Sequence, residues 1–141
     1  MPSADHLTID GEPPPPPQVA RDPLMRQVLG CAIEVHRALG PGLLESAYGH
    51  CLAYELAEQG IRYRAQIPIP IKYKRIEVAR AYRIDMIVDE RIILEIKSVE
   101  RLTHMHQAQL LTYMRMTGIT TGYLVNFNVY RLTEGIRRLV L

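Results

Sequence analysis

The sequence contains few aromatic residues and few cysteines. It has no tryptophan, a single phenylalanine and two cysteines among its 141 residues. Cys31 and Cys51 match no zinc-binding spacing and give no disulfide framework, so we interpret them as small buried thiols in a reducing cytoplasm. The core must therefore consist of aliphatic side chains, and a chain of this length buries enough of them to fold without cross-links.

Long apolar runs are also absent. No stretch approaches the roughly 18 residues of a membrane-spanning helix, and no basic segment followed by an apolar one marks a secretory signal at the N-terminus. The sequence shows neither a Ser-His-Asp or Cys-His arrangement nor a glycine-rich phosphate loop. We therefore expect a cytoplasmic protein that does not bind membranes.

The excess of basic over acidic residues is also small. The net charge of +2 is too small to indicate a nucleic-acid partner by itself. Ten basic and six acidic residues lie between positions 61 and 101, which is a mild local excess. An ordinary solvated surface accounts for most of it.

Two segments of different character divide the chain. Residues 1–21 include an unbroken run of five prolines, which favours a stiff, extended conformation that cannot join a core. We predict a disordered proline-rich tail there and a folded domain over residues 22–141.

Hydrophobic periodicity predicts three helices and up to six strands. The helices cover residues 23–39, 43–59 and 103–117, with capping residues at their ends. Apolar runs predict strands at residues 67–73, 76–83, 84–88, 92–97 and 121–127, and a last strand or short docked helix at 136–141. The predicted fold is α/β, a mixed sheet with helices on both faces.

Two carboxylates occupy strand positions that should be apolar. Asp85 lies within an apolar run, and Glu95 lies within the next one. Burial of an ionised carboxylate without a partner costs more free energy than a domain can spare. Lys97 points to the same face of its strand as Glu95, because the two are two residues apart. One explanation is a structural ion pair between Glu95 and Lys97, with Asp85 bonded to Arg83 or another base.

The other explanation is a metal site. Two carboxylates on neighbouring strands, with a third from a helix, give the hard oxygen ligands that suit Mg²⁺ or Mn²⁺. Such a cation activates water and neutralises charge on a phosphate, while Lys97 orients the water or stabilises the transition state.

The spacing of these residues resembles a known superfamily. Asp85, nine intervening residues and then Glu95-Ile96-Lys97 resemble the D…ExK core of the PD-(D/E)XK nucleases, although Ile84 stands where many members have proline. The resemblance implies a restriction-endonuclease-like fold, in which a mixed β-sheet carries helices on both faces. It also implies a metal site to which the Ile96 backbone carbonyl contributes.

A second motif lies at the start of the second predicted helix. Residues 42–48, with Gly42, Glu45 and Tyr48, resemble the signature of the GxxExxY protein family, which is placed among the PD-(D/E)XK proteins. The likeness extends over roughly residues 25 to 141. It implies that Glu45 joins Asp85 and Glu95 as a metal ligand, although a glutamate at this position also suits the helix dipole.

The third predicted helix carries a further motif. Gln109 and Tyr113 resemble the QxxxY motif of exonuclease branches of the superfamily, and His106 shares their helix face. The resemblance assigns catalytic support to Gln109 and Tyr113, and substrate contact to His106, Gln109, Tyr113 and Tyr48. Alternatively, Tyr113 belongs to an amphipathic core stripe and Gln109 is incidental. We interpret His36 as a core histidine.

These observations favour a metal-dependent nuclease that hydrolyses phosphodiester bonds of nucleic acid, with DNA as the expected substrate. The alternative is a nuclease-like module that binds nucleic acid or a protein partner without catalysis. We expect no separate DNA-reading domain in a chain of this size, so specificity, if any, should come from shape, from a protein partner or from a homodimer.

The turn between the two acidic strands decides whether the site forms. With a two-residue turn, Asp85 would lie opposite Leu94 and face away from Glu95. With a three-residue connection, Val88 pairs with Ile92 and Asp85 lies opposite Glu95. The nuclease interpretation therefore requires the odd connection, although two-residue turns are more common.

Overall fold

Helix boundaries follow the capping residues of the sequence in the computed structural model, which describes residues 22–141. Helix α1 begins after Asp22, whose Oδ1 accepts a hydrogen bond of 3.0 Å from the Leu24 amide. Helices α2 and α3 are followed by Gly60 and Gly118, whose φ angles of 70° and 75° suit the end of a helix. The helices are α1 (Pro23–Leu39), α2 (Glu45–Glu58) and α3 (His104–Thr117).

The described strands are β1 (Tyr63–Tyr73), β2 (Ile76–Val88), β3 (Ile92–Lys97), β4 (Thr121–Asn126) and β5 (Ile136–Val140). Two expectations are corrected here. The segments 76–83 and 84–88 form one continuous strand, and β1 begins at Tyr63 rather than at residue 67. The end of the described chain is a strand rather than a docked helix. The predicted tail, residues 1–21, lies outside the described residues.

The sheet is mixed, with the strand order β1-β2-β3-β4-β5. Its neighbouring strands are antiparallel except for β3 and β4, which are parallel and joined through α3. This α/β arrangement confirms the restriction-endonuclease-like fold. Within residues 22–141, no helix combines the length and apolarity needed to cross a membrane.

Helices cover both faces of the sheet, as predicted. One core lies between the sheet and helices α1 and α2, and a smaller core lies between the sheet and α3. Members of the first core include Val28, Leu52, Met86, Leu94 and Phe127; members of the second include Ile84, Ile87, Ile93, Leu110 and Leu124. Strands β2 and β3 contribute to both cores, so their side chains are buried on both faces. Glu95 is buried between these cores, whereas Asp85 is half-buried beside it.

Candidate active site

The β2–β3 hairpin has the register that the site requires. Val88 pairs with Ile92, so the connection has three residues, Asp89, Glu90 and Arg91. Asp89 and Glu90 take φ angles of 50° and 54°, and the Arg91 amide donates a hydrogen bond of 3.0 Å to the Val88 carbonyl. The prediction of an odd connection is confirmed.

Asp85 and Glu95 lie where the regular β2–β3 ladder stops. Its last residue pair towards this end of the hairpin is Met86 with Leu94. Beyond it, the Asp85 amide donates to Glu95 Oε2 at 2.9 Å, and the Ile96 amide donates to Asp85 Oδ2 at 2.8 Å. Each carboxylate therefore accepts a hydrogen bond from the backbone of the opposite strand, and the two side chains are held beside each other.

Strand β2 is irregular at Asp85. Met86 belongs to the core beneath α1 and α2, whereas Ile84 belongs to the core beneath α3. In a regular strand these two side chains would share one face. Gln66, which faces Asp85 in the β1–β2 register, has a φ angle of 56°, and no pairing joins the two positions. The break in alternation turns the Asp85 side chain towards β3.

The electrostatics of the pair are unfavourable without a cation. Glu95 is 3% exposed, and burial followed by the negative charge of Asp85 raises its pKa from 4.5 to about 8. Burial also raises the pKa of Asp85, although the Ile96 amide and Lys97 act in the opposite direction. Lys97 Nζ lies 3.8 Å from Glu95 Oε1. Lys97 thus contacts Glu95, yet the pKa of Glu95 stays well above its ordinary value. An ion pair between these two residues does not fully compensate the two neighbouring carboxylates.

Glu45 joins the site from the start of α2. Its Oε2 accepts a hydrogen bond of 3.1 Å from the Ser98 amide, directly after β3. The Ser98 hydroxyl donates in turn to the Leu43 carbonyl at 2.5 Å. These two bonds fix the start of α2 against the end of β3. The Glu45 side chain is exposed, whereas Asp85 is half-buried and Glu95 is buried.

A cleft of about 700 Å³ brings three predicted metal-site residues together. Glu45, Asp85 and Ile96 all line it, whereas Glu95 and Lys97 are not among its lining residues. Within residues 22–141, no three His, Cys, Asp or Glu side chains are gathered closely enough to form a ready metal cage. The donor set itself is nonetheless all oxygen and carries excess negative charge, which fits a hard divalent cation.

The cleft also contains polar residues that sequence reasoning did not assign to the site. Arg83, His50 and Gln66 line it together with Ser98. Arg83 could have been assigned, because it precedes Asp85 by two residues on one strand. His50 and Gln66 lack any such signal, since α2 and β1 reach the cleft only through tertiary packing.

Tyr48 lies in the core rather than at the surface of the cleft, and its expected substrate contact stays a prediction. Its side chain is fully buried and stacks on Phe127 with 4.4 Å between ring centroids. Its hydroxyl donates to the Gly40 carbonyl at 2.5 Å and accepts from the Leu43 amide at 3.1 Å. Tyr48 therefore supports the loop that precedes Glu45 and acts on the site only through it.

The α3 residues support the site from the other face of the sheet. Tyr113 is 2% exposed, and burial followed by the charge of Glu95 raises its pKa to about 12. It packs edge-on against Tyr82 at 6.1 Å between centroids. The Tyr113 side chain lies in the core beneath α3, and its expected substrate contact stays a prediction. Gln109 is half-buried one turn earlier.

His106 serves as a helix cap. Its Nδ1 accepts a hydrogen bond of 3.0 Å from the Thr103 amide, and its own amide donates to Thr103 Oγ1 at 3.3 Å. This reciprocal arrangement is a capping box with histidine in place of the usual glutamate or glutamine. One ring nitrogen is therefore committed to the start of α3.

Two further buried polar residues complete the frame. Asn126 pairs with Lys97 across β3 and β4, and its side chain holds both the amide and the carbonyl of Val99 at 3.0 and 2.9 Å. Asn126 thereby shapes the segment that carries Ser98 to Glu45. His36 is a core histidine, as interpreted, because it is buried and bonds the Val129 carbonyl at 2.7 Å.

The raised pKa of Glu95 predicts how the stability of the metal-free protein depends on pH. Between pH 4.5 and 8 the folded state keeps a proton that the unfolded state has released, so the free energy of unfolding falls as pH rises. The expected loss is several kcal/mol, since each pKa unit is worth about 1.4 kcal/mol. Urea unfolding in EDTA from pH 5 to 9 measures it. Glu95→Gln should flatten the curve; an equally steep decline in that variant contradicts the assignment.

Comparison with known proteins agrees with this geometry. No curated protein and no solved structure is significantly similar to the chain. The family model of the PD-(D/E)XK nuclease superfamily matches residues 22–139, which include both helix-borne and strand-borne candidate residues. The chain therefore belongs to the PD-(D/E)XK nuclease superfamily.

Proposed function

We propose that this protein is a divalent-metal-dependent nuclease that hydrolyses phosphodiester bonds of DNA. One observation carries the proposal: backbone hydrogen bonds between their strands hold Asp85 and Glu95 side by side, and Asp85 lines a cleft of a superfamily nuclease fold. Nucleases of this superfamily generally use divalent metal ions and bind nucleic acid. A buried pair that is unfavourable when empty is well suited to a cation that would compensate both charges.

Mg²⁺ or Mn²⁺ would be held by Asp85, Glu95 and the Ile96 carbonyl, with Glu45 reaching the cleft from α2. When bound, the cation supplies Lewis-acid activation of water and neutralises charge on the phosphate. Lys97 is mostly buried beside Glu95 and holds a positive charge at the reacting centre. As a ligand of that cation Glu95 would be ionised, because ligand carboxylates must be deprotonated.

The rest of the cleft would position the substrate. Arg83 lines the cleft and brings a positive charge to it, two residues from Asp85 on the same strand. Ser98 and Asn126 hold the β3 exit in place, and Tyr48 holds the loop before Glu45. Tyr113 and Gln109 would act from the α3 side of the sheet, where the charge of Glu95 reaches Tyr113. In this proposal the protein works in the cytoplasm and belongs to the GxxExxY branch of the superfamily.

One observation favours the alternative, a nuclease-like module that binds nucleic acid without cleaving it. Glu45 is already engaged by the Ser98 amide, and the carboxylates of residues 22–141 form no ready three-ligand cage. The two functions make different predictions, because only the nuclease turns over substrate in a metal-dependent way.

Cleavage assays on a mixed panel separate the two. Supercoiled plasmid, linear duplex, single-stranded DNA and RNA are each incubated with the protein in Mg²⁺, in Mn²⁺ and in EDTA. The proposal predicts cleavage of DNA in either metal and none in EDTA or with Asp85→Asn. Binding of the panel without cleavage in either metal would establish the non-catalytic module instead.

A further inference from the structure

The β1–β2 hairpin extends well beyond the rest of the sheet. Strand β3 pairs with β2 only at Met86, Ile87 and Val88, whereas the β1–β2 pairing continues to Tyr73 and Ile76 at its far end. Residues 67–83, here named the arm, are therefore a two-stranded ribbon without a third strand beside it. The base of the arm packs against the core beneath α3, and its far half does not belong to either core.

The arm is strongly basic. Its charged residues are Lys72, Lys74, Arg75, Arg80 and Arg83, with Glu77 as the single acid. All six are exposed. One glutamate cannot neutralise five cations, so the arm carries a net positive charge of the sign that phosphates attract.

One face of the far half is apolar and uncovered. Tyr73 pairs with Ile76, and their exposed fractions are both 59%; Val78, paired with Ile71, is 45% exposed. Residues directly opposite in an antiparallel ribbon share a face, so these four side chains form one stripe. Lys72 and Glu77, the pair between them, lie on the other face. The far half thus offers apolar groups on one face, and charged groups on the other face and at the tip.

The arm continues directly into the cleft. Gln66 and Arg83, at its base, line the cleft, and Asp85 follows on the same strand. The eleven residues from Arg75 to Asp85 span about 33 Å at the ordinary rise of a strand, which is close to one turn of duplex DNA, roughly 34 Å. The register shifts between Ile69 and Ile71, and Arg80 has a φ angle of 56°, so the ribbon is bulged. Bulges increase twist, which helps a ribbon to follow a groove.

We propose that the arm binds in the major groove of double-stranded DNA about one helical turn from the bond that is cleaved. This inference rests on the proposed function and narrows its substrate to duplex DNA. The major groove of B-form DNA, about 12 Å wide, admits a two-stranded β-ribbon. The major groove of A-form RNA is too narrow and deep for side chains to read. Basic side chains at the tip contact phosphates, and the apolar stripe faces base edges and thymine methyl groups.

Binding to a 24-base-pair duplex in EDTA tests the arm without requiring cleavage. The arm variant carries Lys72→Gln, Lys74→Gln and Arg75→Gln. A matched control removes the same charge elsewhere through Arg26→Gln, Arg115→Gln and Arg131→Gln, three exposed positions on α1, on α3 and before β5. Circular dichroism and melting establish that both fold. The same sequence as duplex RNA and as single-stranded DNA completes the probe set.

The arm variant should lose at least about tenfold in affinity for duplex DNA, and the slope of log affinity against log salt should shrink by roughly 2 to 3. The control variant should change both values much less, and neither RNA nor single strands should show the arm-dependent difference. Equal losses in the two variants, or equal losses on all three probes, overturn the proposal. Unchanged DNA affinity with a dimer that dissociates only in the arm variant would overturn it in favour of contact between two copies. If the wild type binds duplex through the arm yet never cleaves it, the proposed nuclease fails while this inference stands.

Discussion

Lys97→Ala should lower the rate of DNA cleavage by about 10² to 10³ at saturating Mg²⁺ and leave duplex binding nearly unchanged. Lys97 is 13% exposed at its side chain and lies 3.8 Å from Glu95 Oε1, so it places a buried positive charge at the reacting centre. Removal of one preorganised group that stabilises developing charge costs roughly this much in other enzymes. A change confined to kcat, with KM retained, indicates a role in the chemical step.

The pH profile of the same variant separates two roles of Lys97. Lys97 also lowers the pKa of Glu95, so its loss makes the Glu95 proton harder to release. If that indirect effect were the whole role, activity would return as pH rises and Glu95 ionises. We expect that most of the loss of cleavage rate in Lys97→Ala persists at high pH. Lys97→Arg should not restore the rate, because a planar guanidinium replaces a compact ammonium. Wild-type activity in Lys97→Ala would reduce Lys97 to an ion-pair partner.

Asp85→Asn should abolish metal-dependent cleavage and at the same time raise the stability of the metal-free protein. The asparagine side chain can still accept the hydrogen bond from the Ile96 amide, and its NH₂ group can donate towards Glu95. It removes a half-buried negative charge that raises the pKa of the neighbouring Glu95. We expect a gain of about 0.5 to 2 kcal/mol near pH 8, as is common where an active site is built against stability.

Asp89→Asn is the matched control for this substitution. Asp89 lies four residues further along the same hairpin, in the turn, where it bonds Arg62 with 2.7 Å between the closest atoms. Loss of that surface ion pair costs at most about 1 kcal/mol. Cleavage should be retained in Asp89→Asn. An Asp85→Asn protein that still cleaves, or that is less stable than wild type at pH 8 in EDTA, would contradict the proposed role of Asp85.

The positions of Asp85, Glu95 and Lys97 relative to one another could be predicted from the sequence, because they follow from strand alternation and spacing. Two carboxylates inside apolar strands are unusual enough to predict that they meet, and the structure places Asp85 and Glu95 beside each other. The hairpin register followed from the same reasoning, because only the three-residue connection aligns them. Lys97 was assigned correctly to the surroundings of Glu95 for the same reason, since side chains two apart on a strand share a face.

The sequence could not predict the irregular course of β2 near Asp85. Residues 76–83 and 84–88 were separated because the apolar pattern changes near Asp85, yet the strand continues and only its side-chain alternation breaks. Tyr48 and Tyr113 were assigned to substrate contact from motif resemblance alone. Their burial is set by packing against Phe127 and the α3 core, which motif spacing does not encode. The sequence also does not predict that the arm projects beyond the rest of the sheet, because this depends on where the pairing of β3 with β2 ends.

Asp85 and Glu95 are proposed to form a divalent-cation site in the folded protein. The most direct test is to titrate Mg²⁺ into wild type and into Asp85→Asn and to measure the thermal unfolding of each at pH 7.5. A ligand that binds only the folded state at 100 times its Kd adds about 2.7 kcal/mol, which corresponds to a rise in Tm of roughly 10 °C for a domain of this size. We expect such a saturable rise in the Tm of wild type with either Mg²⁺ or Mn²⁺, and no rise in the Tm of Asp85→Asn. No rise in wild type at millimolar metal, or an equal rise in both proteins, would contradict it.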